Sequence, residues 1–99
     1  MQIKWFKDAV ADIVSIRDYI ARDKPDAAGN VARRIKSEVD RLREYPGMGK
    51  PGRVEGTREL IISGFPYIIP YRVKNNVIEI LRVLHGAMQW PDSFISHLR

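Results

Sequence analysis

The amino-acid sequence predicts an α+β fold, a two-layer sandwich with an N-terminal strand, an antiparallel two-helix hairpin and then a three-strand antiparallel meander. Three observations predict it. Apolar residues recur at helical spacing from Ala9 to Ile20 and again from Ala28 to Leu42, with Pro25 between the two runs. Segments 58–63, 66–74 and 77–85 are rich in β-branched and aromatic residues and are separated by Gly64-Phe65 and Asn75-Asn76. The helices precede the strands of the meander instead of alternating with them, which is the α+β arrangement.

Residues 2–6 alternate, Ile3 and Trp5 against Lys4 and Phe6, and predict a short strand. Asp8 is placed to cap the first helix by accepting from the free amides of the first turn. Ala9, Ile13, Ile16 and Ile20 form that helix's buried stripe, with Val10 widening it and Asp12, Arg17, Asp18 and Arg22 largely off it. Pro25 ends this helix and suits the first position of the next, where a missing N–H costs nothing. The second helix is expected to run to about Glu44 with Ala28, Val31, Ile35, Val39 and Leu42 inward, and its Arg, Lys and Glu residues form a solvated face.

Tyr45 to Thr57 holds four glycines and two prolines and reads as a connector. It carries Lys50 and Arg53, but the spacing is not that of a phosphate-binding P-loop. Two-residue turns at Gly64-Phe65 and Asn75-Asn76 fix the register of the meander. That register puts Leu60, Ile62, Tyr67, Ile69, Tyr71, Val73, Ile78, Ile80 and Leu84 on one face, with Arg58 and Arg82 among them. The opposite face receives Glu59, Ile61, Ile68, Pro70, Arg72, Lys74, Val77, Glu79, Leu81, Val83 and His85. The first, more apolar face belongs under the helices, and Arg72 falls opposite Glu79 as a cross-strand ion pair. Pro91 to Phe94 could begin a last helical turn.

With 99 residues and 44% hydrophobic content, residues 1–99 suit one domain with one core. Absence of cysteine excludes a disulfide framework and a cysteine zinc site. No signal peptide is evident, and no segment reaches the roughly 20 apolar residues of a membrane span. A cytoplasmic protein with no membrane association is the expectation. A net charge of +5 favours an acidic partner, either nucleic acid or protein.

No motif specifies a cofactor, a metal or a nucleophile, and His85 and His97 lack any ordered ligand spacing. Three features remain open. Arg58, Arg72 and Arg82 accompany Phe65, Tyr67 and Tyr71, a combination that suits single-stranded RNA, unless the tyrosines are core and the arginines lie along the sheet rim. His85, beside Gly86, is either a general base or a structural histidine. Met88-Gln89-Trp90-Pro91 either packs onto the sheet or contacts a partner.

Over essentially its full length the chain resembles the RelE/ParE toxins of bacterial type II toxin–antitoxin systems, closest to the ParE branch. The resemblance rests on Asp18-Tyr19-Ile20-Ala21 before Pro25-Asp26-Ala27-Ala28, and on Gly49-Lys50-Pro51-Gly52-Arg53 leading to Gly56-Thr57-Arg58-Glu59-Leu60. Pro66-Tyr67-Ile68-Ile69-Pro70-Tyr71-Arg72-Val73 and Ile80-Leu81-Arg82-Val83-Leu84-His85-Gly86 complete it.

The resemblance implies an acidic antitoxin partner, a role in plasmid or chromosome stabilisation, and one of two modes of growth inhibition. RelE-type members cut mRNA on the ribosome with cations on the open face of the sheet and just after its last strand. The matching positions here are Glu59, Ile61, Ile68 and Met88, none of which stabilises a phosphorane, and Glu59 is expected to repel RNA. ParE-type members are associated with inhibiting DNA gyrase by binding. A binding toxin is therefore the first expectation, with Arg53, Arg58, Arg72, Arg82, His85, Met88 and Trp90 as candidate target contacts. An RNase using His85, with Arg82 or Arg72 holding phosphate, is the second. A non-toxic module that only sequesters an antitoxin is the third.

Overall fold

The computed structural model describes residues 1–87 and residue 90. Strand β1 (Gln2–Trp5) leads into helices α1 (Lys7–Ala21) and α2 (Pro25–Asp40). Strands β2 (Lys50–Pro51), β3 (Arg58–Ile61), β4 (Tyr67–Lys74), β5 (Val77–Ile80) and β6 (Leu84–His85) follow. The sheet order is β1-β5-β4-β3-β2, with β6 also on β4; β1 runs parallel to β5 and the other pairs are antiparallel. The α+β sandwich and the β3–β4–β5 meander are as the sequence predicts.

The two helices are held unequally. Helix α2 buries Ala28, Val31, Ile35 and Val39, and Leu42 is fully buried just beyond its end. Each fully buried aliphatic side chain contributes about 1.5–3 kcal/mol. Helix α1 fully buries only Ala9. Its Ile13, Ile16 and Ile20 are half-buried against the core, and Val10 is 48% exposed instead of widening the stripe. The less covered helix borders the groove described below.

Several local expectations need correction. Asp8 does not cap α1; Phe6 is the N-cap residue with no side-chain cap bond, and Asp8 lies inside the first turn. An acid there still favours the positive end of the helix dipole. Helix α2 stops at Asp40, and residues 41–43 tighten into a 3-10 turn, where i→i+3 bonding often closes a helix. Its charged face is laced by Arg34–Glu38, Arg41–Glu38 and Arg43–Asp40 pairs. The expected connector 45–57 contains the short strand β2, with Lys50 opposite Glu59 and Pro51 opposite Arg58.

Both turns set the predicted register, with Arg58 opposite Tyr71 and Arg72 opposite Glu79. Asn75 and Asn76 have φ of 53° and 63°, the paired left-handed values of a type I′ turn. Gly64 supplies φ of 83°, but the ladder closes at the Ile62 N–H to Tyr67 carbonyl bond, so residues 63–66 form the loop.

The third meander strand is not continuous. Leu81 N–H still bonds Pro70 O in the register of β5, whereas β6 pairs Leu84 with Ile68 and His85 with Tyr67. One extra residue has entered between Leu81 and Leu84, a β-bulge, and a one-residue slip turns every later side chain to the other face. Val83 therefore joins the core under the helices, and Leu84 joins a second cluster with Leu81 and Trp90 beneath the sheet. His85 crosses to the helix side, beside Tyr67. The assignments of Val83, Leu84 and His85 made from unbroken alternation are thus reversed.

Tyr71, fully buried, ties the 45–49 loop to the core. Its hydroxyl donates to Pro46 O (2.7 Å) and accepts from Gly49 N–H (2.9 Å). A Cβ on Gly49 would stand 2.7 Å from the Tyr71 ring, so glycine is required for this close approach. Tyr71→Phe should cost about 2 kcal/mol, because a buried N–H and a carbonyl lose their partner; urea denaturation measures this. Burial raises the Tyr71 phenol above its ordinary value, against the lowering effects of the Gly49 bond and Arg58. A raised folded value means stability is intact below about pH 10 and falls as the pH climbs through the tyrosine range. Alkaline unfolding of Tyr71→Phe should show less of this loss.

Candidate functional site

The bulge is held by a side chain distant in sequence. Asp12, on the α1 flank above β6, accepts from Arg82 Nε (2.7 Å) and a terminal guanidinium nitrogen (2.9 Å), and its Oδ2 also accepts from Val83 N–H (2.9 Å). The carboxylate thus satisfies a backbone donor at the bulge and binds Arg82 through both oxygens. Both side chains are less than a fifth exposed. The hydrogen bond to Asp12 raises the Arg82 guanidinium above its ordinary value, against the lowering effect of burial.

This clamp forms the floor of a groove of about 560 Å3 between α1 and β6. Ile16 and Val83 provide its apolar wall, the β6 backbone at Leu84 its edge, and Tyr19, Tyr67 and His85 its aromatic rim. Tyr19 is 72% exposed, and the His85 and Tyr67 rings meet edge to face with centroids 6.0 Å apart. His85 Nδ1 accepts the Ala87 N–H at 3.1 Å, which orients the ring. Burial, and secondarily Tyr19, raise the Tyr67 phenol above its ordinary value, so the Tyr67 hydroxyl stays neutral near pH 7. The volume lies within the range of ligand-binding clefts, which makes this groove the candidate site.

Beneath the sheet, Glu59 is 2% exposed, and its Oε2 accepts the Arg53 backbone N–H (2.8 Å) and Arg53 Nε (3.3 Å). The Arg53 guanidinium lies over the ring of Trp90, 3.5 Å from its centroid. Glu59 is therefore a covered counterion and does not present a charge to RNA, which corrects the sequence expectation. Ile61 is 53% exposed on the same face, and Ile68 packs with Leu84 and Trp90.

Of the candidate contact residues, Arg82 and His85 share the groove, and Arg53 and Trp90 touch each other beneath the sheet. Trp90 is 7% exposed, so it packs onto the sheet instead of presenting a free contact surface. Arg58 bonds the carbonyls of Gly47 and Gly49, and Arg72 bonds Glu79 across the strands. Arg72 lies on the opposite face from His85, so the two cannot meet at one phosphate. Met88, His97 and the expected turn at Pro91–Phe94 lie outside the described residues. Sequence reasoning missed Asp12 and Tyr19 as members of the groove. Their spacing, together with Ser15, on one flank of α1 is the signal that could have found them. Among the described residues no group of His, Asp and Glu could hold a metal, and no helix is long and apolar enough to cross a membrane.

The ParE toxin family of type II toxin–antitoxin systems matches residues 3–90. A candidate toxin of Sinorhizobium fredii, Y4kP, is 49% identical over 92% of this chain and 94% of its own length. Toxin RelE2 of Caulobacter vibrioides is 40% identical over 87% of this chain and 96% of its own length. Among solved structures, a chain of the chromosomal ParDE toxin–antitoxin system from P. aeruginosa superposes with a TM-score of 0.80 at 33% identity, covering 86% of this chain and 95% of that one. A chain of the RelBE2 toxin–antitoxin complex from Mycobacterium tuberculosis gives 0.54 at 25% identity, covering 85% and 95%. The clamped groove thus sits on a RelE/ParE scaffold, and the chain belongs to the ParE toxin family of type II toxin–antitoxin systems.

Proposed function

We propose that this toxin inhibits DNA gyrase by binding it and is neutralised by a cognate acidic antitoxin in the cytoplasm. The observation that carries this reading is the fate of the cations. Arg53, Arg72 and Arg82 are paired with Glu59, Glu79 and Asp12, and Arg58 is bonded to two loop carbonyls. Phosphoryl transfer needs cations directed at developing charge, whereas these are directed at the protein's own acids and backbone. The groove between α1 and β6, with its aromatic rim and apolar wall, is suited to receiving side chains of another protein. The antitoxin partner is supported by the toxin–antitoxin complexes among the structural relatives.

The deciding experiment is a gyrase supercoiling assay with the chain alone, run beside in vitro translation with an mRNA cleavage readout. Loss of supercoiling or accumulation of cleaved DNA, with mRNA intact, is the expected result. Gyrase unaffected by excess toxin would overturn the reading. His85→Gln is expected to preserve growth inhibition, because glutamine keeps a polar group at the groove rim and inhibition by binding needs no base there. Loss of toxicity in a folded His85→Gln protein would instead favour the RNase route, and harmless overexpression without antitoxin would favour a sequestering module.

A further inference from the structure

The two helices differ in how their outward charges are met. On α2 and its 3-10 extension they pair locally, Arg34 and Arg41 with Glu38 and Arg43 with Asp40. On α1 the one ion pair among the described residues is Asp12 with Arg82, on the flank that borders the groove. Lys7 and Asp18 are exposed and have no ion-pair partner among the described residues. They stand eleven positions apart, which returns them to one face of the helix after three turns, about 16 Å along its axis. At that separation they cannot pair with each other.

Between these two charges, on the same face, lie Ala11 and Val14. Lys7, Ala11, Val14 and Asp18 thus follow the four-three-four spacing of a seam between paired helices. All four are exposed; Val14 is 41% exposed, and Val10 on the flank of the seam is 48% exposed. The seam also complements itself. Laid antiparallel against a second α1 about a two-fold axis, Lys7 meets Asp18 of the second copy and Val14 meets its Ala11. Both contacts then occur twice, as in any two-fold interface. A parallel arrangement would instead set lysine against lysine and aspartate against aspartate.

We propose that the outer face of α1 is a self-association surface, on which two copies of the chain pair antiparallel and two-fold symmetric. Val14 and Ala11 form the centre of the contact, Val10 covers one side, and two Lys7–Asp18 pairs close the ends. The exposed valines alone suit any apolar partner. The charge pattern selects a second copy, because cation and anion stand at the two ends of one seam, each opposite its complement. The contact is one helix wide, so the dimer is transient, with a dissociation constant between about 10 µM and 1 mM. The groove residues Asp12, Ile16 and Tyr19 lie off the seam, so each copy keeps its groove uncovered. The proposal stands whether or not gyrase is the target.

The test is sedimentation of the full chain from about 10 µM to 1 mM, over which the mean mass should climb toward that of a dimer. Lys7→Glu and Asp18→Lys each put like charges at both ends of the seam, and each should weaken association about tenfold. Net charge is +5, so general repulsion would instead strengthen association in the first and weaken it in the second. The double variant Lys7→Glu, Asp18→Lys restores both pairs and should associate like wild type. An equimolar mixture of the two single variants should recover as well, because each supplies the charge that the other lacks. Val14→Gln should weaken association at least about tenfold, and Val73→Gln, at a valine 44% exposed on β4, should leave it within about twofold. All substituted positions are exposed, and thermal unfolding verifies each fold. A chain still monomeric at about 1 mM would overturn the proposal and leave this face to a different protein. Single charge variants that associate like wild type, a double variant without recovery, or a Val14→Gln protein that still dimerises normally would each overturn it too.

Discussion

Replacing Asp12 with alanine is expected to lower the unfolding free energy by about 3 kcal/mol, at the lower end of what losing one partner of a buried ion pair costs. Three donors converge on this carboxylate, two from Arg82 and one from Val83 N–H. The pair is more than four-fifths covered, so water only partly replaces the lost acceptor. For a domain of this size the loss corresponds to a fall of about 15 °C in melting temperature. Asp12→Asn keeps the shape and one acceptor oxygen, and should fall between wild type and Asp12→Ala. The damage should be local first. Amide exchange at Val83 and His85 should accelerate more than exchange in α2, because the bulge loses its anchor while the α2 core is untouched. A protein with Asp12→Ala that melts with wild type would show that the clamp contributes nothing net.

The residues of this clamp also show how far the sequence could be read. Helical spacing identified the buried face of α2 residue by residue, because Ala28, Val31, Ile35, Val39 and Leu42 meet one continuous core. The turn residues Gly64, Asn75 and Asn76 fixed the register, because only particular backbone angles connect such strands. Alternation could not reveal the bulge. Val83 and Leu84 are both apolar, so either side chain suits either face, and the choice is made by Asp12, some seventy positions earlier. Strand β2 was equally hidden, because two residues in a Gly- and Pro-rich stretch carry no period. The candidate site was legible as a set of cations and His85, but their pairing partners were not. Only Arg72–Glu79 follows from strand register; Asp12–Arg82 and the stacking of Arg53 on Trp90 are contacts made by the tertiary fold.

Glu59→Lys is expected to cost about 4 kcal/mol, which is a large part of the 5–15 kcal/mol that holds a typical domain folded. This substitution places a cation where the resemblance to RelE-type nucleases puts catalytic charge, so it asks whether that chemistry can be restored by composition alone. The structure gives a physical reason why it cannot. Position 59 is not open to solvent; its side chain lies 3% exposed beneath Arg53. A lysine there loses hydration, faces the Arg53 guanidinium as a like charge, and leaves the Arg53 backbone N–H without its acceptor. Arg53 is half exposed, so water screens part of the repulsion, and the larger share of the cost is the uncompensated buried charge. Glu59→Gln, which keeps an oxygen toward Arg53 N–H, should lose only about 1–2 kcal/mol. Urea denaturation of the two variants separates charge from shape, and a stable, mRNA-cleaving Glu59→Lys protein would mean that the face beneath the sheet is open chemistry after all. The expected outcome is the reverse: a destabilised Glu59→Lys protein that leaves mRNA intact, because position 59 holds the covered counterion of Arg53 and the acceptor of its backbone N–H.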